Sequence, residues 1–132
     1  MRRWFAFAAI NGALAVIAGA FAAHALRGRL APDMLEVFDL AARYHIIHAL
    51  ALAVAALAAD RLGTSPLRLA AVLFATGIIL FSGSLYLLAL TGVHHFGFVT
   101  PIGGVALIAG WLALTVGALQ QRDRGDGADS RG

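Results

Sequence analysis

The sequence predicts an all-α integral membrane protein, a four-helix bundle with an amphipathic interfacial helix between its first and second spans. Three observations carry that prediction. Of 132 residues, 61% are apolar and the mean hydropathy is +0.83, well beyond the roughly 45–50% apolar content of soluble domains. Four apolar runs can cross a hydrocarbon core about 30 Å thick, which takes about 20 helical residues. The basic residues, all arginine, gather at the ends of these runs, where they orient helices in a bilayer.

The first run, residues 4–26, follows Arg2 and Arg3. A cleaved signal peptide competes for this segment, with "AAHA" supplying small residues, but a signal h-region is only about 7–15 residues and this run continues to Ala23. A retained span is expected. In the next segment, "APDMLEVFDLAAR", Asp33 and Glu36 have capping-box spacing and Asp39 precedes Arg43 by four, a favourable ion-pair order. Met34, Val37, Phe38 and Ala41 make its apolar face, so it is an interfacial helix or the tilted start of the second span, residues 44–59. The third and fourth spans are residues 67–91 and 98–120. Residues 122–132, "RDRGDGADSRG", have a disordered composition.

Four spans put both termini on one side of the membrane. Arg2, Arg3, Arg61, Arg68, Arg122, Arg124 and Arg131 share that side, against Arg27, Arg29 and Arg43 on the other. The positive-inside rule makes it cytoplasmic. A sequence pI of 10.6 suggests nucleic-acid binding, but scattered arginines form no basic face, so no nucleic-acid partner is expected. The lipid bilayer is the expected environment. Without cysteine there is no disulfide, thiolate zinc site or cysteine-held iron–sulfur cluster.

A rise of about 1.5 Å per residue sorts the polar residues by depth. His24, Tyr44, His45, His48, Ser84 and Tyr86 fall near the outer boundary, as do the loop residues His94 and His95; Asn11, Thr76 and Trp111 fall in an inner layer. Polar groups in hydrocarbon need partners, so Asn11 and Trp111 are expected to face the interior. Ser82 and Ser84 can bond back to the carbonyls of Ile78 and Leu80. Small residues recur as packing seams: Gly103, Ala106, Gly110, Ala113 and Gly117 in the fourth span; Ala8, Gly12, Ala15, Gly19 and Ala22 in the first; and Ala70, Gly77, Ser84 and Thr91 in the third.

Chemistry finds little footing. His45 and His48 share a helix face at i, i+3 and with His24 could ligate a metal or haem, but no carboxylate is placed to orient the imidazoles. Proton-coupled transport needs an ionisable group deep in the membrane, and every acid lies at a boundary or in a loop. "SGS" at 82–84 lacks the G-x-S-x-G elbow of a serine nucleophile.

"GAFAAHAL" (19–26), Tyr44 with "HALAL" (48–52), "LFSGSLYLLAL" (80–90), "FVTPIGG" (98–104) and "AGW" (109–111) together resemble domain-of-unknown-function family 423, related to transmembrane protein 256. The resemblance implies a small multi-pass protein of the bacterial inner membrane and supplies no reaction. It matches His24 and His48, while the position of His45 is more usually glutamine. A site would then combine His24, Tyr44, His48, Ser82, Ser84 and Tyr86. The leading expectation is a non-enzymatic protein without cofactor, acting by association with itself or another membrane component. The runner-up binds a small molecule, haem or metal through that outward-facing cluster.

Overall fold

The computed structural model describes residues 1–129, with side chains through residue 120. Its elements are α1 (Arg2–Ala23), α2 (Pro32–Leu62), α3 (Ser65–Gly77), a π-helical segment (Ile78–Ser82), α4 (Gly83–Thr91), a 3-10 turn (His94–Phe98) and α5 (Thr100–Asp129). There is no strand among the described residues. Four stretches are long and apolar enough to cross a membrane: α1, α2, the continuous third span Ser65–Thr91, and His94–Gln120. The backbone of α5 runs on to Asp129, into the segment read above as a tail, and residues 130–132 lie outside the described residues.

The segment before the second span is the start of that span. From Asp33 to Leu62 there is neither glycine nor proline to break it, so α2 runs unbroken from Pro32. Proline at the first helical position has a suitable fixed φ and no N–H to satisfy. Asp33 therefore sits inside the first turn rather than at the cap: the capping box with Glu36 does not form, and the carboxylate faces the helix dipole instead. The Asp39–Arg43 pair does form, with Arg43 Nε donating to Asp39 Oδ2 at 2.9 Å. Gly63 (φ +67°) and Gly92 (φ +69°) end α2 and the third span in the left-handed conformation that favours glycine.

The spans stand side by side. α1 packs on α2, α2 on the third span, and α5 on α3 and the π segment. Half of the most apolar stretch of α2 is buried, against 22% for α1 and for the fourth span, so these two form the edges. One seam of α2 makes the core: Phe38, Ala41, His45, His48, Leu52, Ala55 and Ala59 are all buried, at alternating three and four spacing.

Glycine sets the approach of α5. A Cβ at Gly103 would stand 2.7 Å from the Leu80 carbonyl carbon and 2.8 Å from Phe81 Cα; one at Gly110 would meet the Phe74 ring at 2.8 Å. Gly117 rides over Leu67 in the same way, and Gly77 answers from α3 beneath Leu107. The fourth-span seam thus lies against the third span. The first-span seam is different. Ala8, Asn11, Ala15 and Ala22 are the residues of α1 buried against α2, whereas a Cβ at Gly12 or Gly19 would meet nothing within 4 Å. Gly12 lies about 40° around the helix from Ala8 and about 60° from Ala15, which leaves it half-buried at the margin of the contact rather than beneath α2.

Gly103→Ala is expected to lower the stability of the detergent-solubilised protein by about 1–3 kcal/mol, since backbone must yield to the added methyl. Gly12→Ala is expected to leave it unchanged or raise it by up to about 1 kcal/mol. Thermal unfolding followed by circular dichroism separates the two.

Candidate functional site

The candidate site is built from α2 outward. His45 and His48 lie near the midpoint of its 31 residues, not at its outer end, because the helix begins twelve residues before the run that hydropathy marks. Both point along the buried seam, and each is only 6% exposed. Members of the outer and inner polar layers expected from depth therefore meet on α2, His45 with Asn11 and His48 with Trp111.

The first branch runs through His45. Asn11 Nδ2 donates to the Phe7 carbonyl at 2.9 Å, which leaves Asn11 Oδ1 as the acceptor facing His45 Nε2 at 3.0 Å. His45 Nε2 thus carries the proton, and Nδ1 accepts from the Tyr86 hydroxyl at 3.2 Å. The Tyr86 ring packs on Phe38 with centroids 4.8 Å apart.

The second branch runs through His48 with the opposite tautomer. Its Nδ1–H donates to the Tyr44 carbonyl at 2.8 Å, so Nε2 is bare and accepts the Trp111 indole N–H at 3.3 Å. A doubly protonated ring could not accept that bond, so this arrangement requires a neutral imidazole. Tyr44 stacks beside His48 with centroids 5.6 Å apart and leans on Phe81. Trp111 turns its N–H edge inward against His48 and Phe74 while the residue stays 45% exposed toward lipid.

The serines lie beside this network rather than within it. Ser84 donates to the Phe81 carbonyl at 3.0 Å, three residues back instead of four, and pairs with Thr100 Oγ1 at 2.7 Å, tying α4 to the start of α5. Ser82 does not bond back to Ile78. In the π segment the Ile78 carbonyl accepts the Gly83 N–H, five residues on, and Ser82 Oγ is left buried without a partner. The wide turn explains both departures, because it shifts each side chain relative to the carbonyls below it.

Of the residues expected to form the outer cluster, Tyr44, His48, Ser84 and Tyr86 pack around α2 and α4, and Ser82 lies in the adjoining turn. His24 does not join them: it is exposed at the C-cap of α1 and makes no side-chain hydrogen bond among the described residues. Asn11 moves into the network, whereas Thr76 is exposed on the outside of α3. His45, set aside in the sequence, ties α2 to both α1 and α4. The signal that finds it is its place in the three–four spacing that Phe38, Ala41, His48 and Leu52 continue. No group of three or more histidine, aspartate or glutamate side chains converges as a metal site among the described residues.

A family model described as "Protein of unknown function (DUF423)" matches residues 18–104. The UPF0382 membrane protein YwdK of Bacillus subtilis is 43% identical over 121 residues, covering 91% of this chain and 98% of its own length. The UPF0382 inner membrane protein YgdD of Escherichia coli K12 is 39% identical over 119 residues, covering 90% of this chain and 91% of its own. A UPF0382 membrane protein of Staphylococcus epidermidis is 40% identical over 122 residues, covering 91% of this chain and 98% of its own. No solved structure matches this chain.

His45→Leu is expected to destabilise the protein by about 1–3 kcal/mol, since it leaves Asn11 Oδ1 and the Tyr86 hydroxyl unpaired in the interior. Glutamine both donates and accepts, so His45→Gln should retain more of that stability. A double-mutant cycle with Tyr86→Phe should return a coupling of about 0.6–1.7 kcal/mol, read from unfolding in mixed micelles.

Proposed function

This chain belongs to the DUF423 family of membrane proteins, and on that premise we propose that it is non-enzymatic and acts through helix packing, by association with a second copy of itself along α1. The observation that carries this reading is the use of the imidazoles. Both ring nitrogens of His45 and both of His48 are occupied by bonds that tie α2 to other spans or to its own backbone. Neither ring offers a free nitrogen to a metal, a haem iron or a substrate proton, so the cluster does the work of a joint.

Association draws support from the edge of the fold. α1 buries one face on α2, and at the margin of that face Gly12 and Gly19 are half-buried, with no atom within 4 Å of a Cβ placed at either. Gly12 lines a groove of about 210 Å³ with Phe5, Ala8, Ala9, Ala49, Leu50 and Ala53. In lipid, helices associate by close van der Waals packing, which small side chains permit and bulky ones prevent. The arginine distribution supports an orientation with both termini cytoplasmic. The naming of the Escherichia coli relative supports placement in the inner membrane.

The chain contains no cysteine, which makes cross-linking clean. Gly12→Cys and Gly19→Cys are expected to form disulfide-linked dimers on mild oxidation in native membranes, whereas Ala71→Cys, fully buried between spans, should not. Absence of dimer at both glycine positions, or a stoichiometric Soret band or bound metal in the purified protein, overturns the reading. A reporter fused at Gly132 should be active on the cytoplasmic side only.

A further inference from the structure

From the membrane end that gathers Arg2, Arg3, Arg61 and Arg68 toward the middle of the third span, α1 and α3 stand apart over α2. Between them lies a groove of about 510 Å³, lined by Arg3, Trp4, Phe7, Ala75, Thr76 and Ile79. That volume falls within the roughly 300–1,000 Å³ of pockets that hold small ligands. Its walls are apolar except at two points, and each of these seeks a partner. Arg3 has no carboxylate within ion-pair distance among the described residues; the one acid at this end with described side-chain contacts, Asp60, faces the N-terminal ammonium at 3.9 Å. Thr76 Oγ1 has no hydrogen-bond partner among the described residues, although two other span threonines, Thr91 and Thr115, bond back to the carbonyls of Leu87 and Trp111. Trp4 supplies an amphipathic ring of the kind favoured at headgroup level and meets Phe7 edge-on at 6.4 Å.

We propose that this groove holds one anionic phospholipid. Its phosphate pairs with the Arg3 guanidinium, an ester carbonyl oxygen accepts the Thr76 hydroxyl, and an acyl chain lies along Phe7, Ala75 and Ile79. Charge complementarity selects the occupant. An arginine at the mouth of an apolar groove attracts a phosphate carrying net negative charge, and basic pockets between spans are established receivers of such headgroups. A second helix would fill the apolar walls but would leave both the guanidinium and the hydroxyl unanswered. The groove lies between α1 and α3 and shares no lining residue with the groove at Gly12, so it is independent of self-association at that position.

The full-length protein in detergent, supplied with phosphatidylglycerol or phosphatidylcholine of equal chain length, tests this by native mass spectrometry, with thermal unfolding as a second measure. The wild type should retain one phosphatidylglycerol in preference to phosphatidylcholine and unfold at higher temperature with it. Arg3→Gln, at an exposed position, should fold normally and retain phosphatidylglycerol about fivefold less well, as expected from one surface cation. Thr76→Val should weaken retention of both lipids, and Arg43→Gln, at the opposite membrane end, should weaken neither. Equal retention of the two lipids by the wild type, or undiminished phosphatidylglycerol retention by Arg3→Gln, overturns the proposal.

Discussion

Two imidazoles on one helix reach all three other spans. His45 bonds to Asn11 of α1 and to Tyr86 of α4, and His48 accepts the indole N–H of Trp111 on α5. In hydrocarbon no water can satisfy a misplaced polar group, so each of these contacts is favoured chiefly by the unfavourable alternative. α2 is consequently the organising element: its half-buried stretch carries the polar ties, and the remaining spans take position around it.

The opposite tautomers of the two rings show how fully the network is specified. The Asn11 amide, its NH₂ committed to the Phe7 carbonyl, presents oxygen to His45 and so places the proton on Nε2. One turn later the Tyr44 carbonyl draws the proton of His48 to Nδ1. A network complete in this sense resists substitution, because removing a member leaves its neighbours unpaired. Glycine provides the complementary device at the α3–α5 boundary, where Gly103 and Gly110 let backbone and the Phe74 ring approach closely. Polar ties and close approach act together in a medium that offers helices little hydrophobic drive to associate.

The edges of the row carry the functional argument. The imidazoles of α2 have spent their nitrogens inside the bundle, while α1 keeps open space beside Gly12 and Gly19 at one margin of its α2 contact and, at its arginine-bearing end, a groove beside Arg3 at the other.

Composition and pattern alone determined that this chain spans a membrane four times, because a run of about 20 apolar residues has few other stable fates. They also determined the glycine seam of the fourth span, the Asp39–Arg43 pair and the interior place of Asn11, since these follow from helical spacing and from the need of polar groups for partners. Depth was harder to read. Hydropathy starts the second span at Tyr44, but an unbroken helix starts at Pro32, and that difference carries His45 and His48 from the boundary to the middle. His45 went unselected, His24 proved exposed, and Gly12 and Gly19 fell at the margin of the α2 contact, because one helix's periodicity states which residues share a face but not which part of that face meets a neighbour. The π segment at Ile78–Ser82, set between Gly77 and Gly83, moves Ser84 onto Phe81 and Thr100 and leaves Ser82 unpaired, which helical spacing does not announce. Only the tertiary structure decided these points, since each depends on the rotation and axial offset of one helix against another.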